Sequence, residues 1–372
     1  MKPIRVLQIV SSLNRGSGIM GIIMNLYKHI DRDKVQFDFL YFVEYPSSYK
    51  EEIQDLGGEV FYIPMLNAFN FMQFRKSIID FFQKQIGMYK VLHLHEILLG
   101  FIILPLAKRY GINTRIVHSH NSEPSDKKIK NWRNRLLCLP LKTYATDFFA
   151  CSRKAGIFLY GENFMDKVVL INNAVDSEKY AYNPLLREEL RQELKLGNKF
   201  VVGHIGRFCN QKNHLFLLKV FTMLQREKND SCLLLVGDGE QRNSIEKEVD
   251  RLGLTSNVVF LGIRSDIDKI LQVMDVFVLP SLFEGLPVVG VEAQAAGLPC
   301  VISDSITQEM KITDDVYFLS LQNSIDEWIE MILYAKNHCT RKNTACIIKS
   351  KGYDIDAQAK RIENFYRIRT KE

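Results

Sequence analysis

Glu284 and Glu292 lie eight residues apart in "PSLFEGLPVVGVEAQAAGLPCVISD". The stretch reads as the end of a strand, a loop, a helix and the next strand. "DVFVLP" is an apolar run of strand length, Pro287 suits the first position of a helix, and Gly297 and Pro299 end it. Glu284 then falls in the loop before the helix N-terminus. Glu292 falls inside the helix, leaning back toward the same end. Two carboxylates would point into one crevice at the C-terminal edge of a parallel sheet, where open α/β sheets bind ligands. Backbone amides at a helix start attract phosphate, whereas carboxylates grip hydroxyls, so the pair suits a sugar joined to a nucleotide diphosphate. The bland alternative is one exposed turn residue and one solvated helix residue. The flanking Val288, Val289, Val291, Ala293, Ala295 and Ala296 weigh against it, because a carboxylate on so apolar a helix needs a partner.

Cations at a second strand end would complete such a site. Arg207 and Lys212 follow "FVVGHIG", with Lys212 expected where the next helix starts. Beside helix amides they could hold a diphosphate and offset its charge as it departs. Gly16, Gly18 and Gly21 have dinucleotide-fingerprint spacing, but "SSLNR" makes the preceding loop longer than that motif wants. With Glu44 after the second strand, they keep a nicotinamide-dependent oxidoreductase open. Two His-x-His pairs, His93/His95 and His118/His120, each place both rings on one strand face. A metal reading lacks an evident third protein ligand. Asp31/Asp33, Asp266/Asp268 and Asp354/Asp356 read as caps or surface charges rather than a metal pair. No essential metal and no cofactor is expected.

These residues need a scaffold, and the chain supplies two. Its 372 residues exceed one ordinary core, and 47% hydrophobic with 25% charged residues is globular composition. "RVLQIV", "FDFLYFV", "EVFYI", "VLHLH", "RIVHSH" and "FFACS" read as strands between amphipathic segments, and "FVVGHIG", "CLLLVG", "VVFLG", "VFVLP", "CVISD" and "VYFLS" repeat the pattern. Such alternation predicts doubly wound parallel sheets. The domains are expected at 1–178 and 179–354. Seven cysteines without a Cys-x-x-Cys pair fit free thiols in a reducing compartment. The longest apolar run, Ile97 to Ala107, is too short to span a bilayer, so a cytoplasmic protein is expected.

The net charge of +6 lies wholly in the first 178 residues, which hold 23 Lys/Arg against 17 Asp/Glu. Lys127, Lys128, Lys130, Arg133 and Arg135 cluster with leucines. They are expected to touch an anionic membrane surface or a lipid-linked acceptor; the alternative is a solvated helix face.

"SLFEGLPVVGVEAQAAGLPCVISD" resembles the signature of retaining glycosyltransferases of family 4. The likeness extends through "HIGRFCNQKNH", "LLLVGDGEQRNSIEKEV", "VVFLGIRSDI" and "INNAVD". Bacterial capsule and exopolysaccharide transferases are the nearest look-alikes. The resemblance implies a GT-B fold, two Rossmann-like domains facing a central cleft, with the helix over 355–372 packing back on the first. It places Arg207 and Lys212 on the donor diphosphate, with Gly285 and Leu286 amides assisting. Gly262 and Arg264 would stand at the nucleobase, and Gly16 and Gly18 near the donor phosphate or acceptor. His120 would sit near the transferred sugar. Glu284 would orient that sugar, and Glu292 hold ribose. Where the family carries paired glycines and then an acid, this chain has Ser17 between Gly16 and Gly18, and Met20 at the acid's position.

The expected function is retaining transfer of a hexosyl group from a UDP-sugar to a glycan or lipid-linked saccharide. A nucleotide-sugar epimerase, the oxidoreductase and a non-enzymatic nucleotide-sugar-binding protein are the alternatives. No nucleic-acid partner is expected.

Overall fold

The computed structural model describes residues 2–67, 69–120 and 137–371. They form two compact units: residues 2–172 with 355–371, and residues 173–354. The break thus falls a little before the boundary expected at Glu178.

The first unit is built on a parallel sheet of β1 (Ile4–Ile9), β2 (Val35–Tyr41), β3 (Val60–Tyr62), β4 (Val91–Leu94), β5 (Thr114–Ser119), β6 (Asp147–Ala150) and β7 (Val168–Leu170). Their order is β3-β2-β1-β4-β5-β6-β7. Strands covered on both faces must be apolar or internally paired. Every residue of β2 is buried. Its Asp38 is fully enclosed and held by the Arg5 guanidinium and by the Glu59 amide at 2.7 Å. Gln36 donates to Tyr27 Oη at 2.8 Å.

Ser17 caps the helix Gly18–His29, accepting from the Met20 amide, so the residue that interrupts the glycine pair starts the helix. The C-terminal helix Ile355–Arg369 packs against that helix and β2. It buries Tyr366, and its Arg369 pairs with Asp147 at 2.5 Å.

The second unit holds β8 (Phe200–Ile205), β9 (Ser231–Val236), β10 (Val258–Gly262), β11 (Val276–Leu279), β12 (Cys300–Ser303) and β13 (Val316–Leu319), all parallel, in the order β10-β9-β8-β11-β12-β13. The chain winds outward from β8 through β9 to β10, then restarts beside β8 at β11. The β8/β11 border is therefore the switch point where a crevice opens. Val202, Phe221, Leu233, Val278 and the fully buried Trp328 belong to the core on these strands. Among the described residues, no helix is long and apolar enough to cross a membrane.

Candidate active site

In the second unit the switch point gathers the residues singled out in the sequence. Gly206 and Arg207 continue β8. A Cβ on Gly237, whose φ is +128°, would lie 2.1 Å from the Gly206 carbonyl oxygen, so only glycine permits this approach of two strand ends. Lys212 ends a tight turn, Asn210–Lys212, and its stem folds over Gly206. It is not at the helix start as expected. Asn213 intervenes in left-handed conformation, φ 56°, and the helix begins at His214. The turn is tied to the loop after β11: Gln211 Nε2 donates to the Phe283 carbonyl at 2.9 Å, the Leu282 amide to the Gln211 carbonyl at 2.8 Å, and Asn213 Nδ2 to the Pro280 carbonyl at 3.2 Å. These ties bring Lys212 Nζ to 2.7 Å from Glu284 Oε1, with both side chains nearly enclosed. A buried pair this close keeps both charges in place where either alone would be costly.

Arg207 lies outside that enclosure. It is exposed and pairs with exposed Glu240 at 3.0 Å, an exchangeable contact worth little in water. The helix after Glu284 spans Val288–Ala295, and Pro287 is its extended N-cap rather than its first residue. Gly285 and Leu286 are buried in the preceding loop, with the Leu286 carbonyl accepting from Asn173 Nδ2 at 2.6 Å.

Glu292 sits just over a turn inside the helix and accepts from Tyr180 Oη at 2.8 Å. Burial pushes its carboxyl up to about 7; the Tyr180 hydrogen bond and nearby Lys179 pull the other way, and Asp268 adds to the rise. His204 and His214, also buried here, are held down to about 4 and about 2 respectively, chiefly by desolvation. Gly262 bends at φ +64° and its carbonyl accepts from the Gly237 amide at 2.8 Å. Arg264 is engaged by Asp266 at 2.6 and 2.8 Å.

In the first unit the two His-x-His pairs form a two-by-two array at the ends of β4 and β5. His93 stacks on His95 with centroids 4.3 Å apart, and His118 on His120 at 4.1 Å. His93, His95 and His118 bring ligand atoms within 4.8 Å of one another, so the third ligand not evident in the sequence is present. Their planes, however, lie within 37° of parallel. Lone pairs lie in the ring planes, and stacked rings do not aim them at one point about 2.0–2.1 Å from each nitrogen, as zinc requires. Adjacent nitrogens instead meet across the strands: His93 Nε2 and His118 Nδ1 at 3.2 Å, His95 Nδ1 and His120 Nε2 at 2.8 Å.

Gly18 is the first helical residue, and space around it and Gly21 is open. Gly16 lies in the loop before that helix, its amide donating to Asn14 Oδ1 at 2.9 Å. Glu44 is exposed. Lys127, Lys128, Lys130, Arg133 and Arg135 lie outside the described residues. Sequence reasoning missed Tyr180 and Gln8. Tyr180 lies 112 positions from the acid it touches, and no spacing announces such a contact.

The family described as "Glycosyl transferases group 1" matches residues 187–352. EpsF of Bacillus subtilis, named as a glycosyltransferase, is 38% identical across 99% of this chain and 97% of its own length. The Escherichia coli UDP-Gal:alpha-D-GlcNAc-diphosphoundecaprenol alpha-1,3-galactosyltransferase is 28% identical over 84% of each chain. Among solved structures, Anabaena HepE in complex with UDP-glucose superposes with a TM-score of 0.80 at 19% identity, covering 98% of this chain and 99% of that one. That likeness establishes the fold as GT-B. Full-length identity with EpsF and the match across the second unit agree: the chain belongs to the group 1 glycosyl transferases.

Proposed function

We propose that this glycosyltransferase moves a hexosyl group, with retention of anomeric configuration, from a UDP-sugar to a glycan or lipid-linked saccharide in surface polysaccharide synthesis. The observation that carries the reading is the enclosed Lys212–Glu284 pair at the β8/β11 switch point, with Glu292 just inside the following helix. The names of relatives support it: one acts with UDP-Gal on a diphosphoundecaprenol acceptor, and another is a capsular polysaccharide glycosyltransferase of Staphylococcus aureus.

In this mechanism Arg207 exchanges Glu240 for the donor diphosphate, and Lys212 bridges Glu284 and the leaving phosphate. Amides of Gly285 and Leu286 assist. The bond from the anomeric carbon to the phosphate oxygen breaks, and the nucleoside diphosphate leaves with the electron pair. Glu284 orients the sugar and supports the positive charge growing at that carbon. The acceptor hydroxyl attacks from the face the diphosphate has left, and its proton passes to the departing phosphate. Glu292 accepts ribose hydroxyls, and Gly262 and Arg264 stand beside the nucleobase. His120 takes a saccharide hydroxyl, and Gly16 and Gly18 allow close approach of donor phosphate or acceptor. No metal is required, because the two cations neutralise the leaving group.

The test is transfer from UDP-hexoses to a polyprenyl-diphospho-saccharide, with the product's anomeric configuration read by NMR. Glu284→Gln should stay folded and lose transfer by about a thousandfold, the scale of a lost charge-stabilising group. Full activity in that variant, or an inverted product, refutes the assignment.

A further inference from the structure

The histidine array is asymmetric, and one side chain makes it so. Gln8 on β1 lies beside His93 in the parallel register of β1 and β4. Its Oε1 is 2.9 Å from His95 Nε2. On the other strand-end ring, His93 Nδ1 lies 2.7 Å from the Tyr366 hydroxyl.

A neutral imidazole has one donor and one acceptor nitrogen, so one fixed contact sets the other end of each ring. A carbonyl oxygen only accepts. His95 Nε2 therefore donates to Gln8, leaving His95 Nδ1 to accept from His120 Nε2. His120 Nδ1 is then a bare lone pair; it is buried and has no hydrogen-bond partner among the described residues.

The His93–His118 pair meets the Tyr366 hydroxyl instead, which can donate or accept, so Gln8 sets the direction of the His95–His120 pair alone. The outer nitrogen of the His93–His118 pair, His118 Nε2, is buried and unpartnered among the described residues. Burial keeps all four rings neutral, with His120 held down to about 3 by desolvation. Tautomer, not charge, is the variable.

We propose that Gln8, acting through His95, is a positioning residue that locks His120 in the Nε2–H tautomer, so that Nδ1 offers a fixed lone pair to a saccharide hydroxyl. The use of that lone pair rests on the placing of His120 at the transferred sugar; the tautomer itself does not.

Long-range proton–nitrogen NMR on the full chain labelled with ¹⁵N-histidine reads the tautomer without any assay. His120 should give a single Nε2–H form. Gln8→Leu should give both forms and lower kcat about tenfold, the scale of one misdirected hydrogen bond, with the donor Kd within about twofold. Gln8→Glu keeps an acceptor for His95 and should restore both the single tautomer and most of the rate. A purely structural role predicts the reverse, since burying a carboxylate there would be worse than burying leucine.

An Nδ1–H form of His120 in the parent protein overturns the proposal, as does a single Nε2–H form in Gln8→Leu. Lost tautomer control with unchanged kcat removes His120 from the saccharide site and overturns the proposed use alone. Should Gln8→Leu fail to fold, the parent spectrum and Gln8→Glu still decide.

Discussion

Donor affinity should depend on pH through Glu292. The fold holds this carboxyl at about 7, chiefly because burial penalises its charge. Accepting two ribose hydroxyls calls for the ionised form. With a midpoint near 7, about one tenth of the protein has that form at pH 6 and about nine tenths at pH 8. UDP-sugar affinity should thus rise about ninefold across the interval, roughly 1.3 kcal/mol. Neither buried histidine of this unit interferes, since both are held far below the window. A diphosphate diester does not titrate there either.

The unliganded protein should behave oppositely. An acid whose folded value is raised binds its proton more tightly when folded. The stability that this gives is present at low pH and fades as pH climbs from the ordinary carboxyl value of 4.5 through about 7, by about 3 kcal/mol. Calorimetric titration with a UDP-sugar at pH 6, 7 and 8, beside melting curves, tests both slopes. Glu292→Gln should flatten the affinity profile and weaken binding. Tyr180→Phe removes a contact that lowers the value, so its profile should shift to higher pH. Equal affinity at pH 6 and pH 8 in the parent protein would refute the reasoning.

Two further outcomes follow from single contacts. Lys212→Ala leaves the enclosed Glu284 without its 2.7 Å ion pair. Its kcat for transfer should fall about 10²–10³-fold, measured with saturating donor, and an unchanged value would take Lys212 off the leaving group. Asp38→Asn leaves Arg5 facing an amide in the core of the first unit. Denaturant unfolding should show a loss of about 3–5 kcal/mol, and a loss under 1 kcal/mol would mean that water compensates the pair.

The second unit was readable strand by strand because its sheet is buried on both faces. Each of its strands is a run of apolar residues bounded by glycine, proline or charge, and Trp328 closes the core beneath them. β7 escaped notice because Val168–Leu170 is short and only half-buried, so its pattern is too brief to stand out. Glu284 and Glu292 were legible from spacing, since loop and helix geometry is local. The partner of Glu292 was not, because Tyr180 arrives through tertiary packing. Pro287 was misplaced by one position: its extended backbone, ψ 120°, makes it the cap, a choice that propensity alone does not decide. The two-by-two histidine array was half visible. Alternation gave the stacked pairs, but the pairing of β4 with β5, and of β4 with the strand that carries Gln8, is a matter of register.

The order of synthesis has an unusual bearing on this chain. Residues 173–354 form a continuous body whose two ends meet, with the Val175 amide donating to the Tyr353 carbonyl at 3.0 Å. The other body is split, its helix Ile355–Arg369 being translated only after residues 173–354. The portion made later can therefore finish folding while the portion made first still waits on the ribosome for Ile355 onward. A premature stop after residue 354 would spare the body formed by residues 173–354 and leave the histidine array without Tyr366.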